Sequence, residues 1–167
     1  SPAGGLARRA WLIRQLETKY ANVPQVLLDS GNLSDNPSPQ GDVKTAGLVE
    51  GMNRLGYRAA NVGERDLVLG YDAFRSRIAG AEFPFVSSNI VRKDTGEPVF
   101  APYEVLEVER PGGEPVRIGV LGVARFNPIF LKAGPDNSNL VIRKPDEAVA
   151  RYLAEVREQS DIVVLLA

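Results

Sequence analysis

The sequence predicts an α/β domain, and three observations carry that expectation. Segments with apolar residues at steps of three and four alternate with short β-branched runs, the pattern of helices interleaved with strands. Sixteen Gly and 12 Pro among 167 residues, above the usual share of about 12%, place sharp turns between short elements and exclude a coiled coil. Finally, 44% apolar and 25% charged residues form a balance that buries a core and argues against disorder.

The elements follow in order. Leu6, Ala10, Ile13, Leu16 and Tyr20 give one apolar helical face after Gly4-Gly5,. Residues 23–28 read as a strand ending in Asp29-Ser30-Gly31-Asn32, after which Pro37, Pro39 and Gly41 hold an irregular loop open to about Val43,. Residues 45–55 read as a helix stopped by Gly56, and 58–62 as the next strand,. A helix over 71–79 leads to a strand over 83–89, with Pro84 near its start where the missing N–H matters least,. Two β-branched runs, 103–109 and 116–123, form an antiparallel hairpin around Pro111-Gly112-Gly113,. Residues 125–139 are loop-rich. A last helix runs over 145–159 with Pro145 at its first position and Val149, Leu153 and Val156 on one side,. It feeds an apolar run, 161–167, that reads as a buried strand.

Composition removes whole classes of function. Twenty basic against 21 acidic residues leave a net charge of −1, which gives no drive toward nucleic-acid polymers or acidic membranes. The longest apolar runs are far short of the roughly 20 residues that a membrane-spanning helix needs. No cysteine is present, so thiolate metal sites and disulfides are excluded within these residues. No histidine is present either, which removes the usual general base near neutral pH and the usual nitrogen ligand for transition metals. Ser1-Pro2-Ala3 carries neither an initiator Met nor the pattern of a signal peptide,. Both ends therefore read as cut, and residues 1–167 as part of a single domain.

Four segments in order carry a resemblance: Gly4-Gly5-Leu6-Ala7-Arg8, Leu27-Leu28-Asp29-Ser30-Gly31-Asn32, residues 56–66 with Gly63-Glu64-Arg65-Asp66 at their end, and Phe83-Pro84-Phe85-Val86-Ser87-Ser88-Asn89. Together they resemble the amino-terminal part of the metallophosphoesterase domain of the 5′-nucleotidase family, within the calcineurin-like metallophosphoesterases. The resemblance implies a four-layered α/β/β/α sandwich, incomplete at both ends. It further implies an extracytoplasmic location, in the periplasm or at the cell surface, and phosphate-ester hydrolysis on nucleotides. Two divalent cations, Mn, Zn or similar, would activate water at the strand ends.

At the family's key positions this chain departs from the pattern. Asn32 stands where a carboxylate bridges the two metals, and a neutral amide bridges cations far less well. Glu64 replaces a metal-binding Asn, and Arg65 replaces the catalytic His. Arg65 stays protonated at any working pH and cannot donate a proton to a leaving group. Asp66 keeps the carboxylate that would orient that His, and Asn89 matches a position near the substrate. Each also has a reading without function. Asn32 suits a turn after Gly31, and Glu64 suits a solvated loop, against a single-cation role shared with Asp29. Arg65 suits a salt bridge to Glu64 or Asp66 rather than an anion site, and Asn89 suits a hydrogen bond within its own turn.

Two hypotheses from different classes follow. One is a metal-dependent phosphoesterase acting on a phosphate ester or nucleotide, impaired or inactive as this chain unless residues outside it complete the site. Its Asp-x-His motif would precede Ser1 and its later His motifs would follow Ala167. The other is a non-catalytic module, without bound metal, serving the remainder of a larger parent chain or a protein partner. The Gly-Gly-Leu-Ala-Arg-Arg opening is similar to a divergent extracytoplasmic branch found with multihaem cytochrome segments, which would make that parent a redox protein.

Overall fold

Tyr57–Asn61 forms a strand whose neighbouring alanines face opposite ways. Ala59 joins one apolar cluster and Ala60 another, as the two-residue period of a strand requires. Both faces are covered, and this decides the layering. The structure, a computed structural model, describes residues 5–34, 39–125, 132, 134 and 136–167, without the side chains of Pro39 and Asp42.

In chain order the elements are α1 (Leu6–Lys19), β1 (Leu27–Asp29), α2 (Pro39–Arg54), β2 (Tyr57–Asn61), α3 (Tyr71–Arg77), β3 (Phe85–Val86), β4 (Ile90–Arg92), β5 (Tyr103–Val108), β6 (Val116–Gly122), a 3-10 turn (Asn137–Asn139), β7 (Leu140–Ile142), α4 (Pro145–Gln159) and β8 (Ile162–Leu166). β1, β2 and β3 form a parallel sheet in that order. β5, β6 and β8 form a second sheet, antiparallel between β5 and β6 and parallel between β6 and β8. β4 pairs with β7 in a short antiparallel ribbon.

Among the described residues, three apolar clusters hold four layers together. Val49 and Met52 of α2 and Phe74 and Ile78 of α3 pack on Ala60 and Phe85 of the first sheet. On that sheet's other face, Ala59 and Val86 meet Leu106, Val120 and Leu166 of the second sheet. Tyr152 and Val156 of α4 then cover the far side of the second sheet at Leu121. The order is α/β/β/α, as the resemblance implies. Gly122 sets the distance between sheets, because a Cβ there would stand 2.6 Å from the Val86 carbonyl oxygen and 2.4 Å from Asn61 Oδ1.

Several expectations need correction. The loop expected to last to Val43 ends at Pro39, where α2 already begins. Proline tolerates a first helical turn, since its missing N–H would have no partner there. Pro37, Gly4 and residues 1–3 lie outside the described residues, as does much of 125–139. Within 125–139, the described Asp136 carboxylate accepts the Tyr71 and Asp72 backbone N–H groups at 2.9 and 2.7 Å, closing the start of α3. The run over 83–89 is a strand only at Phe85–Val86. β4 and β7, three residues each, are too short for periodicity to reveal.

On α4 the buried side is Ala148, Tyr152 and Val156, one position away from the expected Val149 and Leu153. The run 161–167, expected to be buried, forms β8 at the edge of its sheet, with Ile162 and Leu165 about half exposed. Of the five apolar positions expected to define the first helical face, only Ile13 is buried.

Candidate functional site

The parallel strands β1 and β2 end side by side, so the two turns that leave them meet. In the first turn Gly31 has φ 92° and Asn32 φ 58°, left-handed values that Gly adopts freely and Asn tolerates. A Cβ on Gly31 would stand 2.7 Å from the Asn61 carbonyl oxygen, so only glycine lets the turns approach this closely. Gly63, in the second turn, faces the Asn32 side chain in the same way.

Asp66 ties the turns together. Its Oδ2 accepts the backbone N–H groups of Asn32 at 2.8 Å and Gly63 at 2.9 Å, and its Oδ1 accepts that of Ser34 at 2.8 Å. The residue is buried. Desolvation pushes its carboxyl above the usual range, opposed by the three backbone donors,. Asn32 Oδ1 accepts the Arg65 backbone N–H at 3.0 Å, a second tie across the turns. Nearby, Asp29 is also engaged. Its Oδ1 accepts the Gly31 N–H at 3.0 Å and its Oδ2 lies 3.4 Å from Arg9 Nη1, which also donates to the Tyr57 hydroxyl at 3.1 Å.

The structure thus brings Asn32, Arg65 and Asp66 together through backbone amides. Glu64, weighed from sequence as a solvated loop carboxylate or a single-cation ligand, is buried as a residue, but neither of its carboxylate oxygens is both buried and unpartnered, and no ion pair or hydrogen bond to its side chain is present among the described residues. Arg65 is exposed and forms no salt bridge with Glu64 or Asp66 among the described residues. Asn89 does not serve its own turn alone. Its amide nitrogen donates to the carbonyls of Ala124 at 2.7 Å and Arg143 at 2.9 Å, and its oxygen accepts the Ala124 N–H at 2.7 Å.

Asn61 escaped the sequence reading. It is fully buried at the end of β2, and its amide donates to the carbonyls of Ser30 at 3.1 Å and Val123 at 2.8 Å. A polar amide in an otherwise apolar strand was the available signal, since Asn is depleted in strands. Asn61 Oδ1 has no hydrogen-bond partner among the described residues.

This donor set does not fit a two-cation centre. Both Asp29 oxygens and Asn32 Oδ1 already serve protein donors, and the bridging position holds a neutral amide in place of a carboxylate. Among the described residues no three His, Cys, Asp or Glu side chains converge. Among the described residues, what the arrangement offers chemically is an unengaged carboxylate, Glu64, next in sequence to an exposed guanidinium, Arg65.

Comparison with known proteins supplies the kinship. No protein-family model matches the chain. A 2′,3′-cyclic-nucleotide 2′-phosphodiesterase/3′-nucleotidase of Salmonella typhimurium is 31% identical over 98% of this chain and 27% of its own length. A 5′-nucleotidase of Vibrio vulnificus is 30% identical over 92% of this chain and, again, 27% of its own length. The chain thus spans about a quarter of the length of the curated relatives it matches. The crystal structure of the calcineurin-like phosphoesterase YfkN from Bacillus subtilis superposes with a TM-score of 0.80 at 24% identity, covering 98% of this chain and 53% of that one. With the α/β/β/α layering and the paired strand-end turns, these likenesses show that the chain belongs to the 5′-nucleotidase/metallophosphoesterase family.

Proposed function

We propose that this chain is a phosphoesterase-family domain whose central site has become a structural tie, so that the chain hydrolyses no phosphate ester by itself and acts as a binding or structural module. The observation that carries this reading is Asn32, a neutral amide at the position of the bridging carboxylate, whose Oδ1 already accepts the Arg65 backbone N–H. Arg65 reinforces it, since an arginine cannot protonate a leaving alkoxide, and Asp66, at the position that would orient a catalytic His, is spent instead on three backbone N–H groups that fix two turns. Asn89, with its amide satisfied on both sides, belongs to the same scaffold rather than to a substrate.

Nucleotides are the ligand class to which kinship points, and an extracytoplasmic parent chain, of the multihaem redox kind, is the setting implied by the sequence resemblance. Among the described residues no helix is long and apolar enough to cross a membrane.

One observation favours a second reading. The Glu64 carboxylate has no ion-pair or hydrogen-bond partner among the described residues, so it is open to a hard cation completed from elsewhere.

Metal binding and turnover, measured together, separate the two. Titration calorimetry with Mn²⁺ and Zn²⁺, and assays with p-nitrophenyl phosphate, AMP and 2′,3′-cyclic AMP, should give neither stoichiometric binding nor metal-dependent turnover above background. One tight ion per chain that disappears in Glu64→Gln would establish the second reading. Two ions with turnover would overturn the first.

A further inference from the structure

Two apolar depressions adjoin on the outer side of α1. One, of about 480 Å³, lies between the two helices, with Ala7, Ala10 and Arg14 on its α1 side and Gly51, Arg54 and Leu55 opposite. Leu6 packs on Gly51, where any Cβ would collide with its methyl groups, and this contact fixes the spacing of α1 and α2. The other depression, of about 590 Å³, is formed by Ala7, Arg8, Trp11 and Leu12. Ala7 belongs to both, so they make one continuous surface. Trp11 is 64% exposed and Leu12 51%, large apolar side chains left uncovered on a helix that buries Ile13,.

The charge of this surface has one sign. Arg8, Arg14 and Arg54 are the ionisable residues of the two linings, and no Asp or Glu lines either. Arg54 pairs with Glu50. Arg8 and Arg14 are exposed, with no ion pair or hydrogen bond to either guanidinium among the described residues. Tryptophan, arginine and aliphatic side chains together are the composition that carries binding energy at protein interfaces.

We infer that this face of α1 and α2 docks an acidic amphipathic helix of a protein partner, its aliphatic side chains seated against Ala7, Trp11 and Leu55 and its carboxylates paired with Arg8 and Arg14. A groove between neighbouring helices accepts the side-chain ridge of a third, and the forked donors of a guanidinium match a carboxylate. A second copy docking through the same face would set arginines against arginines. The net charge of −1 gives the chain as a whole no pull toward anionic lipid. The surface shares no residue with the strand-end turns, so the inference does not depend on whether that site is catalytic.

Trp11 is the sole tryptophan of the chain, and its fluorescence therefore reports on this face alone. The probe is a helical peptide of about 18 residues, roughly five turns, with leucines along one face and glutamates flanking them; its counterpart carries Gln for every Glu. The acidic peptide is expected to give a saturable blue shift of Trp11 emission and to bind about three- to tenfold more tightly than the Gln peptide at low salt. The double variant Arg8→Gln/Arg14→Gln should equalise the two peptides while keeping the affinity of the neutral one. Trp11→Ala, at an exposed position, should weaken both about tenfold or more by calorimetry without lowering the thermal midpoint. Absence of a saturable shift, or equal affinity of the two peptides for the wild type, would overturn the assignment. So would a shift elicited by phosphatidylglycerol/phosphatidylcholine vesicles and not by the peptide, which would give the face to lipid, or one elicited by protein concentration alone, which would give it to a second copy.

Discussion

At the scale of single residues, Asp66 combines two opposed demands. Its burial favours the neutral acid, and its three backbone donors favour the anion. Desolvation is the larger, so the folded-state pKa lies above the ordinary 3.8. A carboxyl raised in this way contributes stability that is fully present below the unfolded value and is lost as pH rises through the folded one. Asp66→Asn removes the titration. Urea unfolding across a pH series should therefore show wild-type stability falling relative to Asp66→Asn as pH rises from about 3.8. A flat or rising difference would mean that the backbone donors outweigh desolvation. Asp66→Ala strands buried N–H groups at any pH and should cost about 2 kcal/mol or more. The motif that names these residues was legible in sequence. What each touches was not, because the partners of Asp66 are main-chain amides, which carry no residue identity.

At the scale of elements, the two turns show how a local rule becomes a tertiary one. Gly31 reads in sequence as an ordinary turn residue. In the fold its missing Cβ is also what admits the Asn61 carbonyl and the Gly63 N–H, at 2.7 and 2.8 Å from where a Cβ would stand. Gly31→Ala should therefore cost about 1–3 kcal/mol, more than the helix glycine Gly47, where a Cβ meets nothing within 4 Å and alanine should be neutral or stabilising. Chemical denaturation of the two variants side by side checks this. The strands show the same limit from the other direction. β5 and β6 are legible because six and seven residues display their β-branched pattern. β4 and β7, at three residues each, exist because they pair with one another across some 50 residues of chain. Likewise, α4 was correctly placed, but its buried side is set by where Tyr152 meets Leu121, and that is fixed by the sheet rather than by the helix.

At the scale of the whole molecule, two sheets packed through small residues leave one sheet with an open side. Among the described residues β8 pairs with β6 on one side only, and Ile162 and Leu165 are about half exposed. An apolar edge strand with unpaired backbone groups is a template for a further strand. The 167-residue chain should accordingly self-associate with rising concentration, and Leu165→Lys should shift sedimentation toward the monomer without lowering the unfolding midpoint. If the variant and the wild type sediment alike, the edge is not the contact.

The sequence by itself determined the class of the fold, the order of its long elements and the exchanges at the key motif positions, because these depend on periodicity, turn residues and residue identity along one line of chain. Tertiary structure alone decided that Glu64 is buried, that Asp66 is spent on backbone amides, that Asn61 spans two layers and that β8 is an edge. Each of these depends on which segments, distant in sequence, come within about 3 Å of one another, and no single segment carries that distance.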